Sequence, residues 1–397
     1  MAFSALDYGI SDDTKTAAAA RLIRSRLSLG SSEQARLVDY CARNIPRDRY
    51  VHPHLTNFKV GMGDSPISNS SSLFIRYARG PKAKPWSSDE TIKIHKHAMG
   101  QLCDVVGLDR RYMHRLDENS EDAWRRNLLA VNLNTHFMKQ QLINRLKKPA
   151  EFLHRLVGDE LRAVLTQSYN RHLVSAVVLQ PFLAACSEVG LQPAKAVVSD
   201  MRVHLQTYLP YAFQPIPGEF VALGTCWGNS DFGQGKLRIS HNVMRLNGGG
   251  NLVTDDAFSR VHIGGVVTDT DMVLSDEVAK KELEAVAEAT RSAVLTAMQP
   301  EQVNRVLEAI QKADAAQIPW AKLKGSLSKA LTKVDLASIE DMLVNRITDL
   351  PTPGTDSDGE PLTSKWWAAA AVSHLAENTL DTTKQMELKT YAGQLLM

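Results

Sequence analysis

Between Gly224 and Gly264 the chain alternates apolar and polar side chains residue by residue, and a period of two is the mark of a strand rather than a helix. From Gly235 to Leu246, Leu237, Ile239 and Val243 share one parity, while Lys236, Arg238, Ser240 and Asn242 share the other. The pattern predicts a half-buried strand with one packed face and one face of cations and hydrogen-bonding groups. Asn247-Gly248-Gly249-Gly250 can reach positive φ at little steric cost and so reverse the chain. A return strand is expected from Ala257 to Gly264, with Phe258, Arg260 and His262 on the face opposite Ser259, Val261 and Ile263. Ahead of the pair, Trp227 to Gly235 (WGNSDFGQG) reads as a glycine-rich loop that shapes a turn rather than one that reacts.

The same alternation recurs upstream. Met201, Val203, Leu205, Thr207 and Leu209 alternate with Arg202, His204, Gln206 and Tyr208, which predicts a second strand with a cation and an aromatic facing outward. A third strand is expected from Glu219 to Trp227, a fourth at Ser72 to Arg79 carrying Arg76, and a hairpin over 151–165 that turns at Gly158-Asp159. Helices are expected over 11–44, from Ser87 through Val106, at Arg110, Arg111 and Arg115, and over 173–189. Pro46 to Ser72 reads as an irregular connection, and Lys82 and Lys84 lie on an extended Gly-Pro loop beside Trp86.

Beyond Thr268 the periodicity becomes helical: Asp276–Met298, Pro300–Ala313, Val334–Thr348, a helix opened by Trp366-Trp367, and a last one capped by Asp381. The expected fold is therefore α+β. It has a central, mostly antiparallel twisted sheet flanked by helices, followed by a C-terminal all-helical region. The expected divisions are 1–72 (helices and connection), 73–267 (basic α+β core) and 268–397 (acidic helices).

Charge separates along the same lines. The formal net charge is +2, made of +9 over residues 1–267 and −7 over 268–397. A basic region suits a polyanion such as nucleic acid, and an acidic helical one suits a protein partner. No apolar run approaches the roughly 18 to 20 residues that span a bilayer, and the N-terminal stretch lacks the basic flank and apolar segment of a leader, so the cytoplasm is the expected compartment. Four widely spaced cysteines without a Cys-x-x-Cys suggest neither a disulfide framework nor a zinc ribbon.

Signatures of phosphate-loop, dinucleotide, serine-hydrolase and zinc-protease chemistry are absent. Cys226 and His241 form a candidate nucleophile and base, Asp200, Glu219, Asp231, Asp255 and Asp256 a candidate magnesium cluster for a nuclease, and His52/His54 and His95/His97 candidate metal ligands. Each set lacks a diagnostic spacing, and no cofactor is expected. Cations and aromatics on one parity of several strands point instead to single-stranded nucleic acid, held by phosphate contacts and base stacking. The residues selected on this basis are Arg202, Tyr208, Lys236, Arg238, Arg260 and His262 on the sheet, flanked by Arg76, Lys82, Lys84, Arg110, Arg111 and Arg115.

NSDFGQG, the basic strand after it, RL-N-GG and SRVHIG together resemble a phage- and plasmid-borne domain family of unknown function. Gln101 to Leu108, Tyr112 and Leu161 to Tyr169 extend the resemblance over about residues 90–265, with Thr166 where serine is usual and a third glycine after the turn. The overall design, a basic domain followed by acidic helices, is similar to the single-stranded-DNA-binding RNA polymerase cofactors of podophages. That resemblance implies a DNA strand as one partner and a phage RNA polymerase, met by the C-terminal helices, as the other. A nuclease, a replication or recombination factor and a structural interaction scaffold are the alternatives, and self-association is left open.

Overall fold

A computed structural model describes residues 14–51, 56–62, 71–77, 91–111, 128–136, 152–166, 172–246, 250–260, 276–328, 331–343, 354–355, 357, 361–379 and 381–396. The fold is α+β, built on two six-stranded sheets that are mostly antiparallel and flanked by helices. No helix among the described residues is long and apolar enough to cross a membrane.

The first sheet takes β1 (Arg47–Val51), β2 (Thr56–Met62), β3 (Ser71–Tyr77), β4 (Thr91–Ile94), β5 (Phe152–Val157) and β6 (Glu160–Thr166) in the order β1-β5-β6-β4-β3-β2. The β5–β6 hairpin turns where expected, with Gly158 at φ 57°, a left-handed value that suits glycine. Two expectations are corrected here. The supposed irregular connection before Ser72 contains β1 and β2, so a division at residue 72 would cut this sheet. The helix expected from Ser87 instead begins at Lys96, after β4, because His95 caps it: its Nδ1 accepts a hydrogen bond from the backbone N–H of His97 at 3.2 Å. That helix, α3 (Lys96–Val106), buries Met99, Leu102 and Cys103 with the helical segment 128–136 and side chains of β3 to β6.

Two helices precede this sheet, α1 (Thr14–Leu27) and α2 (Gly30–Arg43), and α4 (Ser175–Val189) follows it. The second sheet contains β7 (Gln192–Val198), β8 (Val203–Tyr208), β9 (Phe213–Ile216), β10 (Glu219–Asn229), β11 (Leu237–Arg245) and β12 (Asn251–Arg260), in the order β12-β11-β10-β8-β7 with β9 on β10. Its odd-numbered face carries Leu205, Leu223, Trp227, Ile239 and Val243 into the main core, where Phe182 of α4 meets Trp227. Full burial of side chains of this size contributes about 2–3 kcal/mol apiece.

The remaining elements are α5 (Asp276–Ala297), α6 (Pro300–Ala315), β13 (Gln317–Pro319), α7 (Trp320–Leu327), α8 (Lys333–Leu343), β14 (Gly354–Thr355), β15 (Pro361–Ser364), α9 (Lys365–Glu377) and α10 (Thr382–Gln394). The region expected to be all-helical thus holds a small sheet, β13-β15-β14. Asp381 does cap α10, its Oδ1 accepting from Lys384 N at 3.3 Å, and Trp366 is fully buried. A single hydrophobic cluster runs from Leu37 through Trp227 to Leu396, so the line drawn at 267/268 is no break in the packing.

Candidate nucleic-acid interface

Sequence periodicity leaves the even-numbered face of the second sheet open to solvent, and the structure closes it. In β8 every residue is buried, and in β11 Ser240 and Asn242 are buried together with the core-facing side chains. The cover comes from opposite ends of the chain. Ala19, Ile23 and Leu27 of α1 pack on Tyr208, Ala222 and Met244, while Met386 of α10 packs on Cys226 and Val253.

The cover fits because the central strand carries only small residues on this face from Ala222 to Gly228. Gly224 and Gly228 stand in register with Tyr208 and His204 on one side and with Asn242 and Arg238 on the other. A Cβ at Gly224 would lie 1.8 Å from the Thr207 carbonyl oxygen, and one at Gly228 would lie 2.5 Å from His204 Nδ1. Gly224 lies inside the expected strand, while Gly228 continues that strand instead of opening the expected loop, and both permit close approach.

Tyr208 is the clearest correction among the selected residues. Its side chain has no exposed surface; the hydroxyl donates to Asn251 Oδ1 at 2.9 Å and accepts from Asn242 Nδ2 at 2.7 Å. A ring enclosed in this way cannot stack on a base. Beside it, Glu377 accepts from Lys195 at 2.8 Å and lies 2.6 Å from the fully buried Lys389. Burial alone would raise the Glu377 pKa, but Lys389 and Lys195 hold the carboxyl down at about 2.

At the other end of the same face Arg202, Lys236 and Arg238 come together. They line a cleft of about 760 Å³ between the ends of β8, β10 and β11 and the α8–α10 wall, with His204 and Gly228 also in its lining. Arg238 Nη2 donates to Thr390 Oγ1 at 3.2 Å, and Arg202 Nε donates to the Gln234 carbonyl. Burial lowers the Arg202 pKa; Glu387 opposes that shift and Arg238 adds to it. Burial, with Arg238, Arg202 and Lys389 nearby, pushes the His204 imidazole down to about 3, so the ring is neutral at physiological pH. The helical wall supplies Asp335, Asp381, Lys384 and Glu387, of which Asp335 accepts from Lys384 at 3.1 Å. The sheet wall is therefore cationic and the helical wall mixed.

The other selected residues do not join this cleft. Register sets Arg238 opposite Ser259 and Arg260 opposite Leu237, so Arg260 belongs to the opposite face, where it pairs with Glu282 of α5 at 2.8 Å. Arg110 pairs with Asp104 at the end of α3, Arg111 is exposed beside it, and Arg76 sits on β3 in register with Asn57 and Thr91. Lys82, Lys84, Arg115 and His262 lie outside the described residues.

The loop NSDFGQG holds the two sheets together. Asn229 Nδ2 donates to the Leu173 carbonyl at 3.1 Å, and Asp231 Oδ1 accepts from Ser175 N and Oγ at 2.8 and 3.0 Å. From the first sheet's side, Arg155 reaches the Asp231 carbonyl at 2.7 Å, Gln101 donates to the Phe232 carbonyl at 3.2 Å, and the Arg162 guanidinium lies 5.3 Å from the Phe232 ring centre. His97 Nε2 lies 2.9 Å from the same Phe232 carbonyl.

The alternative chemistries fare differently. Register places Cys226 in line with Ser240 and His241 in line with Thr225, so the candidate nucleophile and base point to opposite faces. Glu219 is spent on Arg245 at 2.7 Å and Asp231 on Ser175, and among the described residues no group of three His, Cys, Asp or Glu could hold a metal. His52 and His54 lie outside the described residues. The four cysteines are buried and none is in a disulfide, and burial pushes the Cys186 thiol to about 12.

Comparison with known proteins finds no family model, no curated protein and no solved structure that matches this chain.

Proposed function

We propose that this protein is a non-catalytic single-stranded-DNA-binding protein that serves as a cofactor of phage transcription. The observation that carries the reading is the convergence of Arg202, Lys236 and Arg238 on one wall of one cleft. Three cations along a strand-end track suit successive phosphates, and counterion release makes such contacts favourable whatever the sequence. Stacking on a sheet-borne tyrosine has no place in this version, since Tyr208 is enclosed. The strand is held through its backbone.

Titration of the full chain with single- and double-stranded oligonucleotides in EDTA tests the reading. Single strands should bind without metal, with affinity falling as salt rises. No binding at low salt would exclude it, and degradation of the oligonucleotide after magnesium is added would favour a nuclease instead.

A polymerase contact is proposed for the acidic outer surface of the C-terminal helices, where Glu284 and Glu301 are exposed. Truncation from about residue 275 would strip the core of Val294, Trp320 and Trp366. Charge reversal is the cleaner test: Glu284→Lys with Glu301→Lys should lose the phage RNA polymerase in a pull-down and keep DNA binding. Retention of the polymerase would remove this part of the proposal.

A further inference from the structure

On the same sheet face, a second cleft of about 590 Å³ opens between the α1–α2 pair and the end of α9, and it shares no lining residue with the first. Its walls include the apolar side chains of Leu29 and Met244, and its rim carries Arg26, Arg36 and Lys195. Apolar walls with a few polar groups at the floor and charge at the mouth are the usual anatomy of a small-molecule site, and the volume falls in the usual range.

The floor holds an unmet donor. Gln206 has no exposed surface; its Oε1 accepts from Asn251 Nδ2 at 3.5 Å, but its Nε2 has no hydrogen-bond partner among the described residues. A buried amide N–H without an acceptor is costly, so a native fold that keeps one at the floor of a cleft has a use for it. Such a donor calls for a carbonyl or similar oxygen from a ligand.

The rim sets the ligand's charge. Glu33 and Glu377 also line the cleft, but Glu33 is engaged by Arg36 at 2.9 Å and Glu377 by Lys195 at 2.8 Å, with Lys389 behind it. Arg245 is taken by Glu219. Arg26 is exposed and has no ion-pair partner among the described residues, so the mouth keeps an uncompensated cation beside Arg36.

We propose that this cleft binds a small anion of nucleoside-monophosphate type, its phosphate at Arg26 and Arg36 and a ring carbonyl at Gln206 Nε2. The proposal does not rest on the strand-binding reading, because the two clefts have separate linings. Free mononucleotide and the terminal nucleotide of a strand carry the same chemistry, and the free form is the direct probe.

Isothermal titration of the full chain with uridine monophosphate, uridine and inorganic phosphate tests it. Uridine monophosphate should bind saturably at one site, about tenfold or more tighter than either fragment, since each end contributes a contact worth roughly 1.4 kcal/mol or more. Gln206→Leu, of similar size but without the donor, should bring its affinity to that of phosphate. Arg26→Ala, at an exposed position, should weaken uridine monophosphate and phosphate alike. If Gln206→Leu does not fold, the three-ligand comparison and Arg26→Ala still decide. Absence of saturable binding, equal affinity for phosphate, or unchanged affinity in a folded variant overturns the proposal. A terminal nucleotide as the natural ligand would show as competition by 5′-phosphorylated but not unphosphorylated oligonucleotides.

Discussion

The imidazole of His204 lies against Gly228 so closely that a Cβ there would stand 2.5 Å from Nδ1 and 2.9 Å from Cε1. The contact sits at the floor of the cationic cleft, where β8 and β10 run side by side. It joins a packing constraint to the candidate site.

Gly228→Ala should therefore destabilise the protein by about 1–3 kcal/mol through overpacking, as read by urea denaturation. Adding His204→Ala should recover much of that loss, because it removes the ring the methyl meets; a strictly additive double mutant would refute the steric account. Gly224→Ala has no such rescue. The atoms it meets are the backbone of Thr207 and Tyr208, so the β8–β10 pairing itself would have to move.

Arg155 is 1% exposed and bridges Asp48, at 2.8 Å, to the Asp231 carbonyl. Arg155→Met should cost about 3–5 kcal/mol, because it leaves a carboxylate and a carbonyl without their charged partner. With the joint between the sheets loosened, hydrogen exchange in β5 and β6 should rise more than in β10. Uniform exchange would show that NSDFGQG is not the joint.

For DNA binding, Lys236→Ala and Arg238→Ala should each lower the slope of log affinity against log salt by about 0.7, one phosphate contact on a single strand. Arg260→Ala should leave the slope unchanged, since that side chain lies on the other face and pairs with Glu282. Equal effects from all three would mean that the cleft is not the track.

Stability should fall on mild acidification. Burial pushes both His154 and His204 from 6.5 down to about 3, helped by Arg49 at the first and by Arg238, Arg202 and Lys389 at the second. Between pH 6.5 and 3 the unfolded chain binds protons that the folded one refuses, so stability drops as pH falls through that window. Each ring should remove about 2 kcal/mol at pH 5 relative to pH 7. Denaturant midpoints at pH 7, 6 and 5 measure this, and His204→Gln should flatten the profile by about half. Glu377, held at about 2, adds a further loss only below its unfolded value of 4.5.

Much of the architecture is legible from local pattern. The β5–β6 hairpin, the strand from Val203 to Tyr208, α4, the proline-led α6 and the Asp381 cap are each fixed by side chains a few residues apart. Expectations failed where a short segment is decided by distant partners. Arg47–Val51 becomes a strand because Leu153 to Leu156 offer it a sheet edge, and Thr91–Ile94 does so between β3 and β6. Within the site, the cationic character of Arg202, Lys236 and Arg238 could be read from alternation, but Gln206 gave no signal, since an unmet donor exists only once its neighbours are placed.

Sequence alone determined the α+β class, the sense of the charge asymmetry and which residues share a strand face, because alternation and charge are properties of neighbours along the chain. Tertiary structure decided which face meets solvent. The even parity of β8 and β11 is polar, yet Ile23 and Leu27 from one end of the chain and Met386 and Lys389 from the other close over it. That closure moves Tyr208 inside and leaves the cations at the strand ends, Arg202, Lys236 and Arg238, lining an open cleft. Contacts between residues well over a hundred positions apart have no periodicity to announce them, and burial is set by what covers a face as much as by what the face is made of.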